Sequence, residues 1–302
     1  MALLTMLGLL VFLSFGVWFA AAVDGACRGW MAGQGFRRGN GPLRTAALWL
    51  TQQRIATEAP DRMNAFLSIA GYLALAVIGL ALVPLNADTA LVALPTSVVL
   101  WGACEALIVV VVFLHGWSPN APLAMIGAYR YVAIGLPIML LSMFVLIAAA
   151  LPAQSLDMRD IVTSQSDVWN VIRQPLGLPL FLLLGLSLTL RGPFDYADST
   201  DLAGGTSVET SGPDRLGWQI ARLAMLTGFS AVAATVFLGG YLGPVLPGPL
   251  WIAAKTLAVM CLVIALSHLA ARMPVARMLG MIWMILLPLS FADLIWAGVV
   301  AL

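Results

Sequence analysis

Four charged side chains stand inside apolar runs, away from the polar connections: Glu105, Arg222, Lys255 and Asp293. A charge at the centre of a bilayer costs roughly 3 kcal/mol even on the mildest insertion scales, so each is a candidate for ion pairing or proton transfer. Two acids and two bases balance, which predicts an intramembrane charge network in which Glu105 and Asp293 pair with Arg222 and Lys255. Such pairs either lock helix packing as static salt bridges or surround a hydrated cavity. Arg222 and Lys255 also lie within a turn or two of their helix starts, from which a long side chain can reach the interface. His268 lies near a helix end. A second group, Asp195, Asp198, Asp201, Glu209 and Asp214, shares one connecting stretch that Arg191 opens. Loop carboxylates are solvated by default. Here they sit among Pro193, Phe194, Leu202 and a Gly pair, the mix of an ordered loop that packs against something.

The elements that must position these residues are membrane helices. The chain is 61% hydrophobic and 10% charged, with mean hydropathy +0.98, whereas a soluble domain carries roughly a quarter charged residues. Lipid must be its solvent. Apolar runs long enough to span occur at about 2–23, 65–84, 97–115, 131–152, 173–190, 216–241, 249–270 and 279–301. This predicts a single all-α membrane domain over 1–302 with about eight transmembrane helices. Strands of a β-barrel would instead alternate over about ten residues. The N-terminal run has neither a basic lead nor a small-residue cleavage site, so it reads as a retained helix. Cys27, Cys104 and Cys261 have no close spacing and imply neither a disulfide framework nor a metal site. The scattered Arg residues exclude a nucleic-acid face.

Charge in the connections sets orientation. The stretches 24–64, 116–130, 191–215 and 271–278 hold eleven Arg residues, among them Arg130 in the turn after the third span, and 85–96, 153–172 and 242–248 hold only Arg159. The positive-inside rule then places both termini outside, with the basic 24–64 and acidic 191–215 segments together in the cytoplasm. Within 24–64, glycines lead to Pro42, a helix-starting residue. In PLRTAALWLTQQR, Leu43, Ala46, Ala47 and Leu50 fall at helical spacing, predicting a short amphipathic helix along the membrane surface. No internal repeat, nucleotide-binding loop, HExxH or CxxC pair is present. Nothing in the chain reads as a catalytic residue.

The loop RGPFDYADSTDLAGGTSVETSG resembles the signature loop of the heel subunit of respiratory complex I, the NADH-quinone oxidoreductase, where it is lettered H in bacteria and numbered 1 in mitochondria. Membrane subunits of the group 4 energy-converting hydrogenases are its relatives. Arg191, Pro193, Phe194, Asp195, Asp201, Leu202, Gly205, Glu209, Ser211 and Gly212 occupy matching positions. The resemblance runs on through GWSPNAPLAMIGAYR (116–130), SLDMRDIVTSQSDVWNVIRQPLG (155–177), AATVFLGGY (233–241), GPLWIAAK (248–255) and LLPL (286–289).

That resemblance implies a bacterial inner-membrane subunit, non-catalytic in itself, of an oxidoreductase complex of the respiratory chain or a hydrogenase. Its partners would be antiporter-like membrane subunits and cytoplasmic redox or catalytic subunits. Those cytoplasmic subunits would carry the iron–sulfur or nickel–iron centres, while quinone is the one small molecule expected at this chain. The signature loop, with Arg191, Pro193, Phe194, Asp195, Asp198, Asp201 and Glu209, would form the docking surface and the edge of the quinone cavity. The family's proton-route carboxylates fall here at Met139, Leu188 and Arg222, and two polar positions of its surface helix fall at Thr45 and Leu48. An apolar side chain cannot carry a proton and Arg stays charged, so the usual route is altered, with Glu105 beside Arg222 as a candidate substitute. A stand-alone secondary transporter and a purely structural membrane subunit are the alternative readings.

Overall fold

The computed structural model describes residues 2–33, 41–87, 90–199 and 203–301, with the side chains of 2–4 and 301 set aside; Asp201 and Leu202 of the acidic loop lie outside the described residues. Every regular element among them is helical, as expected. Seven helices are long and apolar enough to cross a membrane: α1 (Ala2–Met31), α3 (Arg62–Ala81), α4 (Ser97–Trp117), α5 (Pro122–Ala150), α9 (Gly212–Phe237), α10 (Gly248–Leu269), and the broken pair α11 (Val275–Met281) and α12 (Leu287–Ala301). The surface helix α2 (Pro42–Thr51) starts at Pro42 as predicted and stops before Gln52. Short helices α6 (Met158–Thr163) and α7 (Asn170–Arg173) lead into α8 (Gly177–Leu188).

Local chemistry explains the boundaries. Asp61 caps α3, its carboxylate accepting from Asn64 N at 3.0 Å, and Asp157 caps α6 in the same way through Arg159 N at 2.9 Å. Pro122, Pro213 and Pro249 sit in the first turns of α5, α9 and α10, where a missing N–H costs nothing. Between α11 and α12 the chain widens into a π-helical turn over Ile282–Leu286. Pro288 follows directly, and its ring cannot share the α-helical path with the carbonyl four residues back, so the ladder loosens there.

Several boundaries differ from those read in the sequence. The predicted span 173–190 is only the twelve-residue helix α8, about 18 Å long against a hydrocarbon core of about 30 Å. An apolar run does not show where irregular backbone dips into the bundle. The basic segment 24–64 begins inside α1, and Arg130 lies on α5 rather than in a turn.

The axis of the bundle is α9, buried along most of its length and packed against α1, α3, α8 and α10. Small residues allow this: a Cβ at Gly228 would stand 2.8 Å from the carbonyl of Ala76 on α3. Helix α4 fixes the two ends of the molecule. At its start, Val98 N donates to Leu156 O at 3.1 Å; past its end, Asp61 N donates to Ser118 O at 2.8 Å. The connections around 151–170 and 238–247 therefore share one end, joined by Gly239 N donating to Gln165 Oε1 at 3.0 Å. Those around 52–61, 118–121, 189–199, 203–212 and 270–274 share the other, the Arg-rich end.

Candidate functional site: a roofed cavity at the Arg-rich end

A cavity of about 1000 Å³ opens at the Arg-rich end. Its long wall is α1 with the turn that follows it, contributing Ser14, Val17, Trp18, Ala21, Asp24, Gly25, Arg28, Gly29 and, just past the helix, Ala32. These positions follow i, i+3, i+4, i+7, a single helical stripe about 27 Å long in which small residues leave the space open. Helix α2 roofs the cavity with Thr45, Ala46 and Trp49, and α9 closes the far wall with Ile220 and Leu223. Leu43, Leu48 and Leu50 of α2 remain exposed, as suits a helix lying in the headgroup layer.

The polar base of the cavity is built around Asp24. Its carboxylate accepts from Arg191 Nη1 at 3.1 Å, pairs with His268 Nε2 at 2.9 Å, and bonds Arg28 one turn along α1. Three elements (α1, the loop after α8, and the end of α10) thus meet on one acid. Asp24 was missed in the sequence because it sits at the edge of an apolar run, so Arg191 and His268, both singled out there, were left without this partner. The Asp24–Arg28 spacing of i, i+4 was the available signal.

Arg222 is the second hub. It pairs with Asp198 through Nη1 at 2.7 Å, and its Nε and Nη2 donate to Thr189 O at 3.1 and 3.0 Å. Nη2 also donates to Leu190 O at 2.6 Å. Tyr72 donates its hydroxyl to Leu188 O, and Tyr131 donates to Ser187 O at 3.4 Å. The carbonyls that end the short helix α8 therefore find partners within the chain, Leu186 O in Arg191 N at 2.8 Å and Ser187 O and Leu188 O in the two tyrosine hydroxyls. On the other side of the ion pair, Asp198 accepts from Thr206 Oγ1 at 2.7 Å, from Ser207 Oγ and from Trp218 Nε1 at 3.3 Å. Trp218 in turn stacks on His115, ring centres 3.6 Å apart.

The acidic loop consequently packs inward. Arg191 is mostly buried, Pro193, Phe194 and Asp198 are buried, Asp195 binds Arg272 at 2.8 Å, and Arg130 on α5 donates to Gly204 O at 2.7 Å over the ring of Tyr196. Among the described residues its exposed ones are Ala203 and, in the first turn of α9, Pro213, and Glu209 lines a smaller hollow of about 210 Å³ beside Arg54. The turn at 204–206 lies so close on α5 that a Cβ at Gly127 would stand 2.3 Å from Thr206 N. Gly127→Ala is expected to lift that turn and cost about 1–3 kcal/mol, read as a lower thermal midpoint in detergent; an unchanged midpoint would show that the turn can yield.

The loop and the surface helix form one platform. Arg54, just past α2, pairs with Asp214 at 2.6 Å; Ile55 N donates to Ser211 Oγ at 2.7 Å; and Arg215 stacks over the ring of Trp49.

The predicted charge network does not form. Glu105 accepts from Ser142 Oγ at 2.6 Å, Asp293 is bound by the Gln174 amide, and Lys255 donates to Gly240 O and Leu242 O at 2.9 and 2.7 Å beneath the ring of Trp169. Arg222 belongs to Asp198, so Glu105 is no partner to it. Neutral carbonyls, a hydroxyl and an amide take the places assigned to counter-charges. Of the five positions where the sequence departs from the family pattern, Thr45 lines the cavity, Leu48 is exposed, Leu188 is buried, Met139 is half-buried on α5, and Arg222 is the loop's anchor.

Fold and site together define a class: a multi-pass, all-α membrane protein that roofs a deep cavity with a surface helix. The family model described as NADH dehydrogenase matches residues 4–298. The chain is 38% identical over 192 residues to the first H-type subunit of NADH-quinone oxidoreductase from Rhodopseudomonas palustris (strain HaA2), covering 62% of this chain and 59% of that protein. It is 32% identical over 192 residues to the second H-type subunit of NADH-quinone oxidoreductase from Rhizobium meliloti (strain 1021), covering 63% and 58%. The chain therefore belongs to the NADH dehydrogenase family, that of the H-type subunit of complex I. The matched region spans less than two thirds of the length of these relatives.

Proposed function

We propose that this chain is a membrane-arm subunit of a complex I-like or energy-converting hydrogenase-like assembly in a bacterial inner membrane. In this reading the Arg-rich end faces the cytoplasm, and the platform of α2, the acidic loop and the start of α9 carries a cytoplasmic redox module. Antiporter-like subunits adjoin it in the membrane and move the ion. The cavity admits the ring of a quinone from the bilayer, with the apolar stripe of α1 taking the tail and the Asp24–Arg191–His268 base facing the ring. The observation that carries this is the α1 stripe, which makes one continuous recess from hydrocarbon depth to the polar cluster. Its volume is at the upper end of ordinary ligand sites.

Ala21→Trp fills the recess midway. Photolabelling of the purified assembly with a photoreactive quinone analogue is expected to fall at least tenfold in this variant, with the thermal midpoint unchanged. Undiminished labelling would mean that quinone does not use this cavity.

A further inference from the structure

Positions 142, 145 and 149 of α5 lie on one face of the helix, and each meets a buried polar side chain from another element. Ser142 Oγ donates to Glu105 Oε2 on α4 at 2.6 Å. Val145 O accepts from Gln174 Nε2 at 3.2 Å, and the same amide binds Asp293 on α12. Ala149 O accepts from Asn170 Nδ2 at 3.2 Å, and Asn170 N donates to Gln165 Oε1 at 3.1 Å, which also accepts from Gly239 N. This is one polar contact per turn over about 10 Å, leading from Glu105 to the connections at the Arg-poor end.

Three oxygens on this line, Asp293 Oδ1, Gln174 Oε1 and Asn170 Oδ1, are buried without a hydrogen-bond partner among the described residues, and the second oxygen of Glu105 has only the indole N–H of Trp101, one turn back on α4, turned toward it. No ion pair reaches either acid there: Lys255 is held by backbone carbonyls and Arg222 by Asp198. Along the elements packed on these acids the other titratable or charged residues are Cys104 and His115 on α4, Arg62 and Tyr72 on α3, Tyr129, Arg130 and Tyr131 on α5, Arg173 on α7 and Arg277 on α11. A buried carboxylate with no cation is too costly to remain ionised, and protonation neutralises it. The protonated acid supplies a donor, and the unpartnered amide oxygens accept from water, as buried polar groups do.

We propose that Glu105 and Asp293 are protonated carboxylic acids that exchange their protons with water entering along this face of α5 from the Arg-poor end. In each exchange the acid passes its proton to a water oxygen and takes one back from water, so one acid O–H breaks and another forms, and nothing is oxidised or reduced. The inference rests on α4, α5, α7, α12 and the connections at the Arg-poor end, with no residue of the cavity, so it stands or falls separately from quinone binding at the other end.

Infrared difference spectra of the purified assembly in lipid, recorded on transfer from H2O to D2O, test it. Glu105→Gln and Asp293→Asn are each expected to remove one protonated-carboxyl C=O band that shifts in D2O. Ser142→Ala should move the Glu105 band without abolishing it. Asn170→Leu, which blocks the file, should slow exchange at both acids at least tenfold. If that variant does not assemble, the order of exchange in the unaltered protein decides: Asp293 ahead of Glu105 supports the path, and Glu105 first overturns it. Absence of the bands, bands that never shift in D2O, or exchange unchanged by Asn170→Leu would each overturn the proposal.

Discussion

Arg222→Met is expected to release the acidic loop and cost roughly 3–5 kcal/mol, because it leaves Asp198 buried without its cation and strips donors from two backbone carbonyls inside the bundle. Arg222 bonds Asp198, Thr189 O and Leu190 O together, so the loss falls on one hub and not on scattered contacts. Arg222→Glu should be worse, since it sets a second carboxylate beside Asp198. Arg222→Lys should recover part of the stability, having the charge but not the planar fork that serves three acceptors at once. The check is the thermal midpoint of the purified protein, combined with protease cleavage between 195 and 210. A double-mutant cycle with Asp198→Asn should show strong coupling. A cost below about 1 kcal/mol for Arg222→Met would mean that the loop holds without this pair.

Asp24→Leu should have the second large effect. Arg191 is mostly buried, and Asp24 is its acidic partner; removing the acid strands a buried guanidinium at a cost of about 3–5 kcal/mol. The same change frees His268 and Arg28, so the base of the cavity should lose its shape along with its charge balance. Adding Arg191→Met to Asp24→Leu is expected to return part of the lost stability, since the stranded charge goes with it, while quinone-analogue labelling stays low. If the double variant is no more stable than Asp24→Leu alone, stranding of Arg191 is not the source of the loss.

What was legible in the sequence, and what was not, follows from which forces act locally. Apolar run length is local, so the seven long helices and the Pro42 start of α2 could be read directly. The recess was also written in the chain, in the Gly, Ala and Ser positions of 14–32, but its meaning depended on what faced them. Partner choice is not local. Arg222 lies 24 positions from Asp198 and was assigned by charge balance to Glu105. Balance misled because a buried acid or base need not meet an opposite charge: backbone carbonyls hold Lys255, and Ser142 and Gln174 hydrogen-bond Glu105 and Asp293. The shortness of α8 was hidden for a related reason. Its apolar composition says nothing of Tyr72, Tyr131 and Arg222, whose donors let the helix end inside the bundle. The sequence marked the acidic loop as one that packs against something; Phe194 and Asp198 turn into the chain's own bundle, so the proposed docking role falls to the surface around them.

The central claim, that α2 and the acidic loop form a landing surface for a cytoplasmic module, is tested most directly by an electron-microscopy structure of the assembly isolated from its native membrane through a tag on this chain. Ordered protein covering residues 41–57 and 203–213 is the predicted result, and a platform facing bare solvent would contradict it.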